Sequence, residues 1–199
     1  MCDYTNILQI IYKYYPQNCE YLTNLYKKSE EYLQYENIVN NSELRENLHD
    51  KFLQVLKSVF TDYYINIWSN KDYPSLHFSV LLHKNQPILD DDEELLDALN
   101  GIRLDLEIYF SFLSNYFYTF IIKTSKSMES SDWQFSLQDE EYLIKNEIYS
   151  LTNACKTLGY QKLDYHTAHT IVPNVETELL YEGEVKIFNC LFTDLEKMF

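Results

Sequence analysis

LDLEIYFSFLSNYFYTFIIK, Leu104 to Lys123, is the stretch whose reading decides the fold. Leu104, Leu106, Ile108, Phe110 and Phe112 fall on alternate positions, so an extended chain places five large apolar side chains on one face. Ser114-Asn115 interrupts the run, and Asn tolerates the positive φ that a two-residue hairpin turn demands. With that turn Leu113 opposes Tyr116 and Phe112 opposes Phe117. Phe117, Thr119 and Ile121 then lie beside the even-numbered residues. Asp105, Glu107, Tyr109 and Ser111 share the other face with Tyr118, Phe120 and Ile122. The first face is expected to be core and the second, mixed in character, to lie outside it, so that reversing Asp105 or Glu107 to Lys spares the fold.

Upstream of this hairpin, Tyr63, Ile65 and Ile67 alternate within DYYINIWS, and Leu76, Phe78, Val80 and Leu82 alternate after an Asn70-Lys71-Asp72 turn signal, which predicts a first hairpin. Between the two hairpins the acidic block Asp90 to Glu94 opens a short apolar pattern, Leu95, Leu96 and Leu99, closed by Asn100-Gly101. Acidic residues there suit the positive end of a helix dipole.

Earlier still, Ile7, Leu8, Ile11 and Tyr15 at helical spacing predict a first helix that stops at Pro16. Tyr21, Leu22, Leu25, Tyr26, Tyr32 and Leu33 predict a second to about Glu36. Leu44, Leu48, Phe52, Val55, Leu56 and Val59, capped from Asn40-Asn41-Ser42, predict a third to about Phe60.

Downstream, a polar Thr124 to Asp132 loop is expected to lead to a helix in which Ser136 caps and Asp139 supplies the third-position acid. Ile144, Ile148, Leu151, Cys155 and Leu158 recur along it until Gly159. Val185, Ile187 and Asn189 are expected to form a late strand. The expected class is α+β: one domain with a mainly antiparallel sheet over 62–123, a helical N-terminal layer over 1–60, a long covering helix over 136–159 and a C-terminal strand region over 160–199.

The 199 residues, 46% hydrophobic and 16% aromatic, are enough for a sizeable core, and Gly 3 and Pro 4 leave little material for a flexible linker. Lys and Arg total 16 against 31 Asp and Glu, a formal charge of -15. That charge opposes binding to nucleic acid or an anionic membrane and favours a basic protein partner. Cys2, Cys19, Cys155 and Cys190 are scattered, with neither metal spacing nor the density of a disulfide scaffold, so reduced thiols in a cytoplasm are expected. The N-terminus carries Asp3 and no basic leader, which reads against a secretory signal. Ile108 to Ile122, the longest apolar stretch, is too short and too interrupted for a membrane-spanning helix.

For chemistry, the chain offers no G-x-S-x-G, no C-x-x-C and no glycine-rich phosphate loop. His166 and His169, three apart in DYHTAH, would share a helical face with Glu176 and Glu178 within chain reach, which is the basis for an alternative reading as a metal-dependent hydrolase. Without a closely spaced third ligand, no metal and no cofactor is expected. His77 and His83 share strand parity but stand roughly 20 Å apart along an extended chain. The feature above background is DDDEELLDALNGIRLDLE, where Asp90, Asp91, Asp92, Glu93, Glu94, Asp97, Asp105 and Glu107 face Arg103 alone. Tyr109 and Tyr118 adjoin the last two acids. Carboxylates supply charge and rings supply cation–π contact, which is the chemistry that Lys and Arg of a partner need.

The three helical segments, WSNKDYPSLHFSVLLH (68–83), the acidic middle and EGEVKIFNCLFTDLE (182–196) resemble the small acidic immunity proteins that bacteria encode beside polymorphic toxins. That resemblance implies a cytosolic, non-enzymatic inhibitor that binds a toxin domain, often a basic nuclease, and blocks its active site. A structural or regulatory subunit is the remaining alternative.

Overall fold

The computed structural model describes residues 4–68, 73–84, 92–126 and 132–194. The Asn70-Lys71-Asp72 turn, Asp90 and Asp91, Cys2, and most of the loop before Asp132 lie outside the described residues. The class is α+β. Strands β1 (Tyr64–Trp68), β2 (Ser75–Leu81), β3 (Ile102–Ser111), β4 (Tyr116–Lys126) and β5 (Trp133–Gln138) follow one another as an antiparallel meander, and β6 (Gln161–Lys162) pairs parallel with the start of β4. Helices α1 (Tyr4–Ile11), α2 (Asn24–Lys28), α3 (Glu30–Val39) and α4 (Ser42–Val59) precede the sheet. Next come α5 (Asp92–Ala98) before β3, α6 (Glu140–Leu143) and α7 (Lys145–Thr157) after β5, then α8 (Tyr165–Ala168) and α9 (Ile187–Leu191).

The decisive hairpin is β3–β4, but Phe110 and not Phe112 opposes Phe117. A four-residue connection, Phe112 to Asn115, replaces the expected two-residue turn, because its backbone is claimed by other segments. Phe112 N–H donates to Pro74 O at 2.7 Å, and Gln161 N–H donates to Asn115 O at 2.9 Å. A two-residue shift preserves strand parity, so every side chain keeps its expected face.

On the even face Phe78, Val80, Leu106, Ile108, Phe110, Phe117 and Ile121 form a core with Phe52, Leu56 and Phe60 of the α4 region and Leu151 and Cys155 of α7. Phe52 stacks on Phe110 with centroids 3.8 Å apart. The odd face does not lie outside the core. Tyr109, Tyr118 and Phe120 are buried there beneath Ile7 and Ile11 of α1, Tyr15, and a C-terminal segment running from Leu163 to Phe192. Asp105 and Glu107 are buried with them. Central strands covered on both faces need not alternate apolar with polar, which is why the mixed pattern of β3 and β4 misleads.

Three further expectations are corrected, and one pairing is new. The second helix does not run unbroken from Gln17: Leu22 has φ 59°, α2 begins at Asn24, and extended Ser29 (ψ 148°) ends α2 and caps α3. Trp133 to Gln138 form β5 along the outer edge of β4, so Ser136 lies in a strand and Ile144 is the N-cap of α7. β6 adds a parallel pair that the sequence did not signal. The C-terminal region has a helix, α9, where a strand was expected, because Lys186 N–H donates to the Asn189 side chain at 2.9 Å and starts a helical turn; Lys186 itself forms an isolated bridge with Ile171.

α5 is as expected. Leu95 and Leu99 pack on Leu81, and the helix closes through Asn100 (φ 58°) and Gly101 (φ 81°), whose N–H returns to Leu96 O at 2.8 Å. No helix among the described residues is long and apolar enough to cross a membrane.

Candidate functional site

Two capped helix starts build the most distinctive cavity. Thr23 Oγ1 accepts Tyr26 N–H at 3.2 Å, and Ser29 Oγ accepts Tyr32 N–H at 3.1 Å. Each tyrosine therefore occupies the third position of its helix, and their rings meet 5.2 Å apart. Tyr21 lies 4.9 Å from Tyr26 on one side; Tyr35 lies 6.2 Å from Tyr32 on the other and 5.4 Å from Tyr15. Five rings, Tyr21, Tyr26, Tyr32, Tyr35 and Tyr15, thus form an unbroken row. Tyr15 is fixed at its far end by donating to Cys190 O at 2.8 Å.

This row walls a cavity of about 260 Å³ completed by Tyr73, Pro74 and the C-terminal segment. Glu36, Glu178 and Asp194 line it, together with Asn40, Thr177 and Asn189, and none of its described lining residues is Lys, Arg or His. Asp194 Oδ2 accepts Leu179 N–H at 3.3 Å, and Glu36 Oε2 accepts from the Asn40 amide at 3.2 Å. Among the described residues none of the three carboxylates has an ion-pair partner. Thr177 is 6% exposed, and its hydroxyl has no partner among the described residues. Burial pushes the phenols of Tyr21, Tyr26 and Tyr35 far above their usual range; neighbouring phenols and the carboxylates of Glu178, Asp194 and Glu36 add to the rise at Tyr21. The rings stay neutral, and the charge of the cavity is that of its carboxylates. Aromatic rings beside carboxylates are the chemistry that an organic cation needs.

The residues expected to bind a partner are dispersed and not gathered here. Asp105 pairs with Arg103 Nε at 2.7 Å. Glu107 accepts from Ser79 Oγ at 2.9 Å and contacts His77 Nε2, so it joins β2 to β3 inside the protein. Tyr109 stacks on His77 at 4.1 Å, and Tyr118 meets Phe188 edge-on at 5.5 Å. These four residues form interior contacts, which corrects their expected place on an outer face. On α5, Glu93 pairs with Lys126 at 2.6 Å, Glu94 is exposed, and Asp92 contributes the first backbone position.

His166 is exposed on α8, while His169 ends that helix, stacks on Tyr165 at 4.0 Å and places Nδ1 2.8 Å from Tyr165 O. Their expected oxygen partners are engaged elsewhere: Glu176 accepts Tyr21 N–H at 3.0 Å and Glu178 lines the tyrosine cavity. Among the described residues no three His, Cys, Asp or Glu side chains come together at metal-binding spacing.

The sequence reading treated Tyr15, Tyr21, Tyr26 and Tyr32 as the apolar side of amphipathic helices and so missed the cavity. The available signal was the crowding of these tyrosines with acids over 15–36, in a chain with 19 tyrosines. The chain matches no protein-family model, no curated protein and no solved structure.

Proposed function

We propose that this chain is an acidic protein-binding module for a basic partner, in its concrete form a cytoplasmic immunity-type inhibitor that binds and blocks a basic toxin or nuclease domain. The tyrosine cavity receives a Lys or Arg side chain of that partner. The observation that carries this reading is the set of three carboxylates, Glu36, Glu178 and Asp194, facing a ring-lined cavity without a counter-charge among the described residues. An arriving cation gains about 0.5 to 2 kcal/mol from a ring face, depending on how far it is desolvated, and supplies the charge the carboxylates lack. The net charge of -15 steers a basic partner inward and repels polyanions.

The test uses octalysine and octaarginine as probes, with octaglutamate as the control, in calorimetric titrations at low and high salt. Glu36→Gln/Glu178→Gln removes two charges at the cavity, and Glu93→Gln/Glu94→Gln removes two at α5. The cavity variant is expected to bind the basic peptides about tenfold more weakly, a loss of about 1.4 kcal/mol, and the α5 variant to stay close to wild type. Equal weakening in both variants would mean that the acidity acts only as a diffuse field, and the reading would fail.

A further inference from the structure

We infer that the tyrosine cavity is one half of a longer groove, and that the partner segment seated in it carries an apolar side chain beside its basic one; this rests on the cation reading of the cavity. A second depression of about 630 Å³ lies against the first, and Val39 and Asn40 line both. The strand-side wall is also continuous, with Tyr73 and Pro74 in the cavity and Ser75 in the depression.

Arg45 holds the saddle between them. Its Nε donates to Val39 O at 2.6 Å, its Nη2 donates to Tyr73 O at 2.7 Å, and its guanidinium lies 4.6 Å from the Phe112 ring centroid. Arg45 therefore ties the α3–α4 junction to the entry of β2 through two of its N–H donors and its contact with the Phe112 ring.

The floor of the depression is apolar: Phe78 is fully buried, Leu76 is partly so, and Ile67, which pairs with Phe78 across β1 and β2, remains 41% exposed, while Trp68 lines the edge at the end of β1 with its ring stacked on His77. Glu46 and Asp50 of α4 stand exposed at its rim. An apolar floor under an acidic rim, continuous with a cation receptor, fits a segment in which an aliphatic or aromatic residue neighbours Lys or Arg. Charge complementarity selects that occupant, because cavity and rim carry five carboxylates, Glu36, Glu178, Asp194, Glu46 and Asp50, the last 3.1 Å from His49 Nδ1, against one arginine, Arg45.

The experiment compares two probe peptides: tetralysine followed by a Gly-Ser spacer, and the same peptide ending in two leucines, with spacers of two, four and six residues. For wild type, the leucines are expected to strengthen binding about tenfold at the best spacer, and that gain should survive high salt. Ile67→Ser/Trp68→Ser should abolish the gain. Ile67→Ser alone, which leaves the Trp68–His77 stack in place, should reduce it and serves if the double variant melts early. Glu36→Gln/Glu178→Gln should weaken both peptides alike. No gain from leucine at any spacer, or a gain that persists in both groove variants, overturns the inference. Tetralysine binding that ignores Glu36 and Glu178 would instead overturn the cation reading beneath it.

Discussion

At the scale of single residues, what decides a side chain's role is the layer above it more than its own polarity. Glu107 looks like a surface acid, yet it is buried and links Ser79 to His77. Glu107→Lys is therefore expected to prevent folding, because it leaves a buried cation against a histidine and removes the acceptor of Ser79. A cooperative thermal transition near that of wild type would refute the placement. Phe110→Ala, which removes the ring stacked on Phe52, should cost about 3 to 5 kcal/mol in urea unfolding. His83 titrates below its ordinary value of 6.5 because burial disfavours its charged form and Arg103 adds repulsion, and its Nε2 accepts Leu104 N–H at 3.2 Å. A lowered folded value means that the unfolded chain takes up the proton first. Stability should thus fall as pH drops below about 6.5 and stop falling from this source beneath the folded value. His83→Gln should flatten that part of the profile. His169, lowered chiefly by burial, contributes with the same sign.

At the scale of elements, periodicity was legible and end points were not. The alternation in Leu104 to Lys123 and the helical spacing in Leu44 to Phe60 both correspond to formed elements, β3–β4 and α4. Register slipped by two because Pro74 and Gln161 capture the hairpin connection, a tertiary effect with no local trace in sequence. β5 was overlooked although Trp133, Phe135 and Leu137 alternate, because Ser136 and Asp139 offered a competing helix cap. The break at Ser29 is a local device that shapes the cavity wall, since it sets Tyr32 against Tyr26. Ser29→Ala is expected to lower stability by about 1 kcal/mol and to speed amide exchange over α3 more than over α4. Unchanged exchange in α3 would show that the cap does not hold the tyrosine row.

At the scale of the whole molecule, central strands covered on both faces leave the tyrosine cavity at a seam where helices meet the C-terminal segment, and the proposed reading puts recognition there. Acid beside aromatic was legible in the sequence as a chemistry; its position was not, because the cavity draws on residues more than 150 positions apart, Tyr15 and Asp194 among them. The central claim is that this seam binds a cation through its tyrosines. Ring-labelled tyrosine NMR during an octalysine titration tests it most directly. The account predicts saturable shifts at Tyr21, Tyr26, Tyr32 and Tyr35 that are lost in Glu36→Gln/Glu178→Gln, with Tyr142 and Tyr149, exposed and not among the residues lining the cavity, unmoved. Shifts confined to those exposed tyrosines, or equal in the variant, would contradict it.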